Sequence, residues 1–320
     1  MLKSIFFTIL ILNFHPLKAE QTLKYLATSG PWKDYIPDNY NLVNKLGPAA
    51  FTFSTDAPAE DISDKMLITR DPYLVFKPNT TIAARRITKS GINIYNVKYT
   101  FDAKSRRFTK HNTSASKKNL ILLGCSFTLG SGLNDLETFP FYLSELRPNY
   151  NVFNLGIYGA GANDILDDLN SFKRFEDISK AGGIVLYTGI YDHIERSTCT
   201  LNCYRPTYKG WVLKKSNYVY DEKNQQINRI GSFEDSRPVK GLIFNLMANI
   251  SLFDKVNIPR ELSDSQIDLY MKMLLEIKKI SKENLNSDFY FTFYPGGYEY
   301  WEKIKAALTK NNIKYLDLSD

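Results

Sequence analysis

Long apolar runs are missing from this sequence, which argues against a membrane-spanning helix. The run near the N-terminus, Ile5 to Leu12, is far shorter than the roughly 20 residues that a transmembrane helix needs. Lys3 precedes this run and Leu17-Lys18-Ala19 follows it, an arrangement typical of a secretory signal peptide. We therefore predict a protein that is not transmembrane and that is exported, to the periplasm or the extracellular space, after cleavage near Ala19. An uncleaved anchor is the alternative.

Dense basic stretches are also missing. The formal net charge of +7 falls to +5 when residues 1–19 are removed, because Lys3 and Lys18 leave and no acidic residue does. Nucleic-acid-binding surfaces usually interleave clustered Arg and Lys with aromatic residues. The basic string Lys104 to Lys110 is more consistent with the surface of a hairpin. We therefore expect no nucleic-acid partner.

Cysteine and histidine are scarce, with three of each in 320 residues. Cys199 and Cys203 lie four residues apart and, in an exported chain, predict a small disulfide loop that leaves Cys125 unpaired. Zinc binding by the pair is the alternative, but no second His/Cys pair is present to complete four ligands. We therefore expect no metal site. After signal removal, His111 and His193 are the remaining histidines.

Residues 20–115 lack the alternation of strands and helices that an α/β domain requires. Gly-Pro and Asp-Pro pairs punctuate the stretch as turns. The alternating string Ile92 to Tyr99 predicts a strand, which Phe101 to Lys104 would turn back towards Arg106 to Thr109. The stretch is therefore interpreted as an irregular, β-containing N-terminal extension that packs against a larger domain.

Strand and helix patterns alternate over residues 116–320. The pattern predicts five strands, at Asn119 to Leu123, Asn151 to Leu155, Gly183 to Thr188, Asp288 to Tyr294 and Ile313 to Leu318. Helices connect them, except for an insertion at about residues 195–262 with a hairpin around Tyr218 to Asn228. This order predicts right-handed crossovers and a three-layer α/β/α sandwich with a mostly parallel sheet.

Capping residues and periodicity define the helices of this domain. Thr138 caps a helix with Pro140 in its first turn, and Ser263 with Gln266 forms a capping box for a long helix. Helical spacing places the following sets on single faces: Phe139, Tyr142, Leu143 and Leu146; Ile165, Leu166, Leu169 and Phe172; Ile267, Tyr270, Met271, Leu274 and Ile277.

Ser126 is the strongest candidate for chemistry, because it follows the first strand of the predicted sheet in the string Gly124 to Gly130. Ligands of open α/β sheets bind outside the carboxyl ends of the strands. A serine hydroxyl becomes a nucleophile when a base takes its proton and nearby donors stabilise the resulting oxyanion. In the alternatives, Ser126 only caps a turn, or Cys125 is the nucleophile, although strand alternation should turn Cys125 into the protein.

Two further strand ends should lie beside Ser126. The second strand ends in a glycine-rich turn, Asn154 to Gly161, and the third ends in Gly189 to Arg196. The strings GCSFTLGSG, FNLGIYG and LYTGIYDH resemble, in order and spacing, the first three sequence blocks of the SGNH (GDSL-type) hydrolases. The longer string SFTLGSGLNDLETFPFYL resembles the bacterial exported esterase-like members of that family. The resemblance covers about Lys117 to Asp320.

The resemblance implies a flavodoxin-like fold and hydrolysis of an ester bond without a cofactor. Ser126 would be the nucleophile, and its N–H together with that of Gly159 would form the oxyanion hole. Tyr191 stands where the family carries an asparagine donor and is the candidate third donor. The substrate would be a small-molecule, glycan or lipid ester at the cell envelope.

The family's general base lies in an Asp-x-x-His string after the fifth strand, and the sequence up to Asp320 does not contain it. Either the natural protein continues, or the base is supplied otherwise, or the enzyme is inactive. His193 is the substitute base that we consider, with a structural histidine bonded to the insertion as the alternative. His111 lies in the polar extension and is expected at the surface.

Two other functions are compatible with these motifs. A binding protein of the cell envelope that kept the fold and lost catalysis would account for Tyr191 and for the missing Asp-x-x-His string. A flavodoxin-like protein would use the Ser/Thr/Gly loop after the first strand to cradle a phosphate group.

Overall fold

The computed structural model describes residues 67–70, 73–87, 93–110, 114–204, 212–249, 262–294 and 301–318. The predicted signal peptide, much of the N-terminal extension and His111 lie outside the described residues. Within them, no helix combines the length and the apolar character needed to cross a bilayer.

The described part of the extension is built from two antiparallel strand pairs. β1 (Leu67–Arg70) pairs with β2 (Tyr73–Phe76), and β3 (Thr80–Ile87) pairs with β4 (Asn93–Phe101). The strand predicted at Ile92 to Tyr99 is thus confirmed. Its main partner is β3, whereas the predicted return segment makes a single bridge between Phe101 and Arg107.

Strand β4 pairs with β3 because that pairing buries more apolar surface, whereas the segment after β4 is held in a tight loop by local hydrogen bonds. The carboxylate of Asp102 accepts from the backbone N–H of Lys104 at 2.8 Å and of Arg106 at 2.9 Å, which closes a tight loop instead of a long hairpin. The β3–β4 pair instead buries an apolar set that packs together, namely Phe76, Ile82, Ala84, Tyr99, Phe101 and Leu129.

Five parallel strands form the central sheet of the α/β domain. They are β5 (Lys118–Gly124), β6 (Tyr150–Asn154), β7 (Gly183–Gly189), β10 (Ser287–Phe293) and β11 (Lys314–Leu316). Their order across the sheet is β6-β5-β7-β10-β11, and all four pairings are parallel. In order of appearance this is 2-1-3-4-5, the flavodoxin-like order. The predicted five-stranded sheet is confirmed.

Helices connect the strands on both faces of the sheet. After β5 come α1 (Ser126–Leu129), a 3-10 turn (Asp135–Glu137) and α2 (Phe139–Leu146); α3 (Ala162–Ser171) follows β6 and α4 (Asp192–Thr198) follows β7. The insertion contains a 3-10 turn (Leu201–Tyr204), the hairpin β8 (Ser216–Asp221) and β9 (Gln226–Ser232), and helices α5 (Phe233–Ser236) and α6 (Pro238–Asn249). Helices α7 (Asp264–Leu285) and α8 (Trp301–Lys310) flank β10 in sequence.

The main core lies between one face of the sheet and helices α3, α4, α7 and α8. Alternate residues of the central strand divide between the two faces: Ile121 and Leu123 join this core, whereas Leu120 and Leu122 join a smaller cluster on the α2 side. The predicted apolar faces of α3 and α7 are confirmed as buried against the main core. The capping box of Ser263 and Gln266 is also confirmed.

The apolar face predicted for α2 was wrong in part: Leu143 packs against the cluster of Leu120 and Leu122, but two of the predicted residues are exposed. Phe139 is 39% exposed and Tyr142 is 37% exposed, although Thr138 caps the helix as predicted. The buried positions are Pro140 and Ser144, because Ser144 Oγ accepts from the backbone N–H of Lys110. Helix α2 therefore meets the extension through Ser144 and through Phe141, whose ring stacks on that of Phe108.

Candidate functional site

The loops that follow β5, β6 and β7 meet at one edge of the sheet. These strands are adjacent in the order β6-β5-β7, as the three sequence blocks predict. The backbone N–H of Ile157 donates to the carbonyl of Gly124 at 2.9 Å, which joins the second loop to the first. The strand order reverses between β5 and β7, so this edge includes the topological switch point where ligands bind in such sheets.

Ser126 occupies the first position of α1, directly beyond the tip of β5. It is half-buried, whereas its neighbour Cys125 is fully buried. The backbone N–H of Ser126 donates to no acceptor among the described residues. Burial raises the pKa of the Cys125 thiol, and the nearby Arg196 guanidinium acts in the opposite direction. Cys125 is therefore a poor nucleophile here, because the thiolate is disfavoured.

Glycine is required at two positions of the second loop. A Cβ atom at Gly156 would lie 2.3 Å from the backbone nitrogen of Leu129, so only glycine lets this loop pack against α1. Gly159 has a φ of +70°, in the left-handed region, and its N–H donates to no described acceptor. The second loop thus keeps a backbone donor without a described acceptor, and the role of Gly159 in an oxyanion hole stays a prediction.

Tyr191 begins the third loop and precedes α4. Its ring is half-buried and packs against the main core. An oxyanion donor must point at the reacting oxygen from about 2.7–3.1 Å. The packing of the ring does not supply that geometry by itself, so the role of Tyr191 as a third donor stays a prediction.

His193 lies on α4 and is 0% exposed. The hydroxyl of Tyr270 donates to that of Tyr187 at 3.3 Å, and Tyr187 shares a 2.8 Å hydrogen bond with His193 Nδ1. If each hydroxyl donates along this chain, Nδ1 accepts and Nε2 carries the ring proton. Nε2 has no partner among the described residues. Burial, reinforced by the charges of Arg196 and Lys215, lowers the pKa of His193 well below its usual value, which keeps the ring neutral.

Arg196 contacts both the second and the third loop. One terminal nitrogen donates to the carbonyl of Ala160 at 3.3 Å, and the other lies 3.5 Å from the carboxylate of Asp192. The guanidinium also acts on the Cys125 thiol, so it lies close to residues that follow each of the three strands. Arg196 thus links the three loops.

Sequence reasoning missed Arg107, because its string of polar and basic residues was interpreted as a hairpin surface. The side chain is instead 0% exposed, and Arg106 is buried too. The Arg107 guanidinium donates to the carbonyls of Leu129 and Leu133 at 3.3 and 2.8 Å, directly after α1. Nothing in the local pattern distinguishes it from an exposed arginine, since most of its partners lie more than 20 residues away, namely Asp135 and the carbonyls of Leu129, Gly130 and Leu133.

Cys199 and Cys203 are buried free thiols that adjoin each other. Burial, and then the neighbouring Cys199 thiol, raises the pKa of Cys203. The predicted disulfide stays a prediction.

We expect the protein from an oxidising compartment to react with a thiol-alkylating reagent in denaturant at Cys125 alone before reduction, and at all three cysteines after reduction. Mass spectrometry of the alkylated chain measures this difference. Three modified cysteines before reduction would contradict the pairing.

Asp167 on α3 predicts a pH dependence of stability. Burial raises the pKa of Asp167 to about 7, opposed by a 2.8 Å hydrogen bond from the hydroxyl of Tyr218. Because the unfolded carboxyl ionises near pH 4, the folded state binds more protons between pH 4 and 7. This group therefore contributes stability below pH 4 that is lost as the pH rises to 7, by about 1 kcal/mol per pH unit.

Asp167→Asn removes this titration while keeping an acceptor for Tyr218. We expect the free energy of unfolding of the variant, relative to the wild type, to rise between pH 5 and pH 8 in urea denaturation. The Tyr218→Phe variant is the control, because it should leave the carboxyl's titration in place. An unchanged difference across that pH range would show that Asp167 titrates normally.

In comparisons with known proteins, no family model and no curated protein matches the chain. No cluster of metal-binding side chains occurs in the described part of the chain. A groove between α7 and α8 includes none of the candidate residues. The fold defines the class as a flavodoxin-like α/β sandwich with three packed loops at the carboxyl edge of its sheet.

Proposed function

We propose that this protein is a serine-dependent hydrolase of ester bonds, of the SGNH type, with Ser126 as its nucleophile. The observation that carries the proposal is the arrangement of Ser126 at the switch point of the sheet, with the N–H groups of Ser126 and Gly159 unused by other described residues. Backbone donors held in this way are suited to a developing oxyanion.

The reaction follows from the chemistry of the hydroxyl. Ser126 Oγ attacks the ester carbonyl, its proton passes to a base, and the carbonyl oxygen becomes an oxyanion held by the N–H groups. The bond to the alcohol then breaks, and the alcohol leaves with the proton. Water releases the acid from the acyl-enzyme by the same steps in reverse roles. No step needs a cofactor.

His193 is the base that we propose within the described residues, and its present bonding sets a condition. Nε2 can accept a proton only if Nδ1 carries the ring proton and donates it to the Tyr187 oxygen. His193→Gln should then abolish turnover but leave the fold intact. Tyr187→Phe should alter the pH profile of kcat, because it removes the group that orients the ring.

The decisive experiment is covalent labelling with a fluorophosphonate probe. We expect one label on the wild type, located at Ser126 by mass spectrometry, and none on Ser126→Ala. With p-nitrophenyl acetate, the kcat/KM of Ser126→Ala should fall by about a thousandfold or more.

Cys125→Ala is the matched control, because it alters the adjacent side chain and should keep the label. Circular dichroism and a thermal melt check that each variant is folded. A label that persists in Ser126→Ala would refute the assignment of the nucleophile.

The second candidate is a binding protein of the cell envelope with the same fold and without turnover. The burial of His193 and the hydrogen bond at its Nδ1 favour it, since they withhold the ring from the site. A folded wild type that takes no label and hydrolyses no p-nitrophenyl ester would support this function instead.

A further inference from the structure

Two exposed aromatic side chains meet above the sheet edge that carries Ser126. Phe127 directly follows Ser126 and is 48% exposed, and Tyr294 directly follows β10 and is 37% exposed. Their ring centroids are 4.6 Å apart, and the ring planes make an angle of 65°. Large apolar side chains exposed next to a candidate nucleophile indicate a contact surface for a ligand.

This contact spans the tip of the strand between them. β7 lies between β5 and β10, so the tips of β5 and β10 are two strand spacings apart, about 10 Å. The N–H of Tyr294 donates to the carbonyl of Gly189 at 3.0 Å, which fixes Tyr294 beside the tip of β7. The two rings therefore meet beside the tip of β7, at the edge of the sheet that includes the switch point.

We propose that this pair of rings, the Phe127–Tyr294 corner, holds an apolar acyl chain longer than acetyl on the ester that Ser126 attacks. The proposal rests on the proposed function. Two rings at 65° present two apolar walls with an angle between them, and a flexible chain can contact both walls. A flat sugar ring would be better served by coplanar or parallel rings that offer a single platform.

The position of the corner also favours the acyl part of the substrate. An acyl group bonded to Ser126 Oγ extends from the residue adjacent to Phe127, within reach of its ring. Each buried methylene stabilises the complex, so kcat/KM should rise with the length of the acyl chain. Other exposed apolar residues, among them Val239 and Leu242 of α6, lie in the insertion and are not part of the Phe127–Tyr294 corner.

The test compares p-nitrophenyl hexanoate with p-nitrophenyl acetate below their aggregation concentrations. We expect the wild type to favour hexanoate by about tenfold or more in kcat/KM. Phe127→Ala and Tyr294→Ala should each lower the ratio of the two kcat/KM values by about tenfold, and Phe127→Leu should restore part of it. Phe139→Ala is the matched control, since Phe139 is 39% exposed on α2, and it should leave the ratio unchanged.

A binding measurement separates this proposal from the proposed function. Binding of hexanoate to the folded Ser126→Ala protein can be measured by titration calorimetry without turnover. The affinity for hexanoate should fall in the double variant that also carries Phe127→Ala. If labelling depends on Ser126 but the ratio does not respond to Phe127, or responds equally to Phe139, the corner proposal is overturned and the hydrolase stands. Competition by methyl glucoside but not by hexanoate would overturn it in favour of a sugar site.

Discussion

Replacement of Arg107 by alanine should lower the free energy of unfolding by about 3–5 kcal/mol, because it removes a buried charge with many partners. The guanidinium donates to four backbone carbonyls and to the carboxylate of Asp135 at 3.0 Å, and it lies 4.1 Å above the ring of Tyr99. Alanine leaves these acceptors without their donor inside the protein. Urea denaturation followed by circular dichroism measures the change.

Lys110→Ala is the control for the loss of a nearby positive charge. Lys110 is 56% exposed and pairs with Glu145 at 2.6 Å on the surface, so its removal should cost about 1 kcal/mol or less. Arg107→Lys should recover only part of the loss, because an ammonium has three donors and no planar face for Tyr99. Equal effects of Arg107→Ala and Lys110→Ala would show that the buried contacts contribute little.

The same variant connects the extension to the candidate site. Two of the carbonyls that Arg107 binds belong to Leu129 and Gly130, at the end of the helix that begins with Ser126. We therefore expect Arg107→Lys, at a temperature where it remains folded, to react with the fluorophosphonate probe more slowly than Lys110→Ala. The extension thus contacts the end of the helix that begins with Ser126, which gives it a role beyond covering the edge of the sheet.

The sheet could be predicted from the sequence because its signals are local. The run Leu120 to Leu123 is apolar throughout, as expected of a strand buried on both faces, and Gly124 marks its end. A capping box and a regular apolar stripe predict the long helix α7. Such features need only neighbouring residues to be recognised.

The support of the site could not be predicted in this way, because it depends on pairs that are distant in sequence. Arg107 meets Asp135, and Tyr270 meets Tyr187, the hydrogen-bond partner of His193, only after the sheet has formed. The exposure of Phe139 and Tyr142 on α2 was missed for the same reason, since the extension contacts a different side of the helix. Periodicity shows that a helix has an apolar stripe but not which partner is available to bury it.

Replacement of Lys215 by methionine should also lower the free energy of unfolding by about 3–5 kcal/mol, because it leaves Asp164 buried without its counter-charge. Lys215 Nζ lies 2.5 Å from Asp164 Oδ2, and both side chains are almost completely buried. Burial lowers the pKa of Lys215, and the Asp164 carboxylate opposes that change. The pair joins the start of β8 in the insertion to α3.

The adjacent Lys214 provides a matched control, since it is exposed while Lys215 is buried. Lys214→Met should change stability by only about 0.5 kcal/mol. The double variant Asp164→Asn with Lys215→Met should be more stable than Lys215→Met alone, because no unpaired buried charge remains. Equal effects of Lys214→Met and Lys215→Met would contradict a stabilising role for the pair.

The consequence of this pair reaches the second loop of the site. Asp164 Oδ2 also accepts from the backbone N–H of Gly161 at 2.8 Å, at the end of the turn that contains Gly159. Lys215 therefore holds the Asp164 carboxylate in place, and this carboxylate holds the Gly161 end of the glycine-rich turn. If the proposed function holds, Lys215→Met should slow labelling of Ser126 even where the protein is folded, whereas Lys214→Met should not. The insertion would then share with the extension the task of holding the strand tips in place.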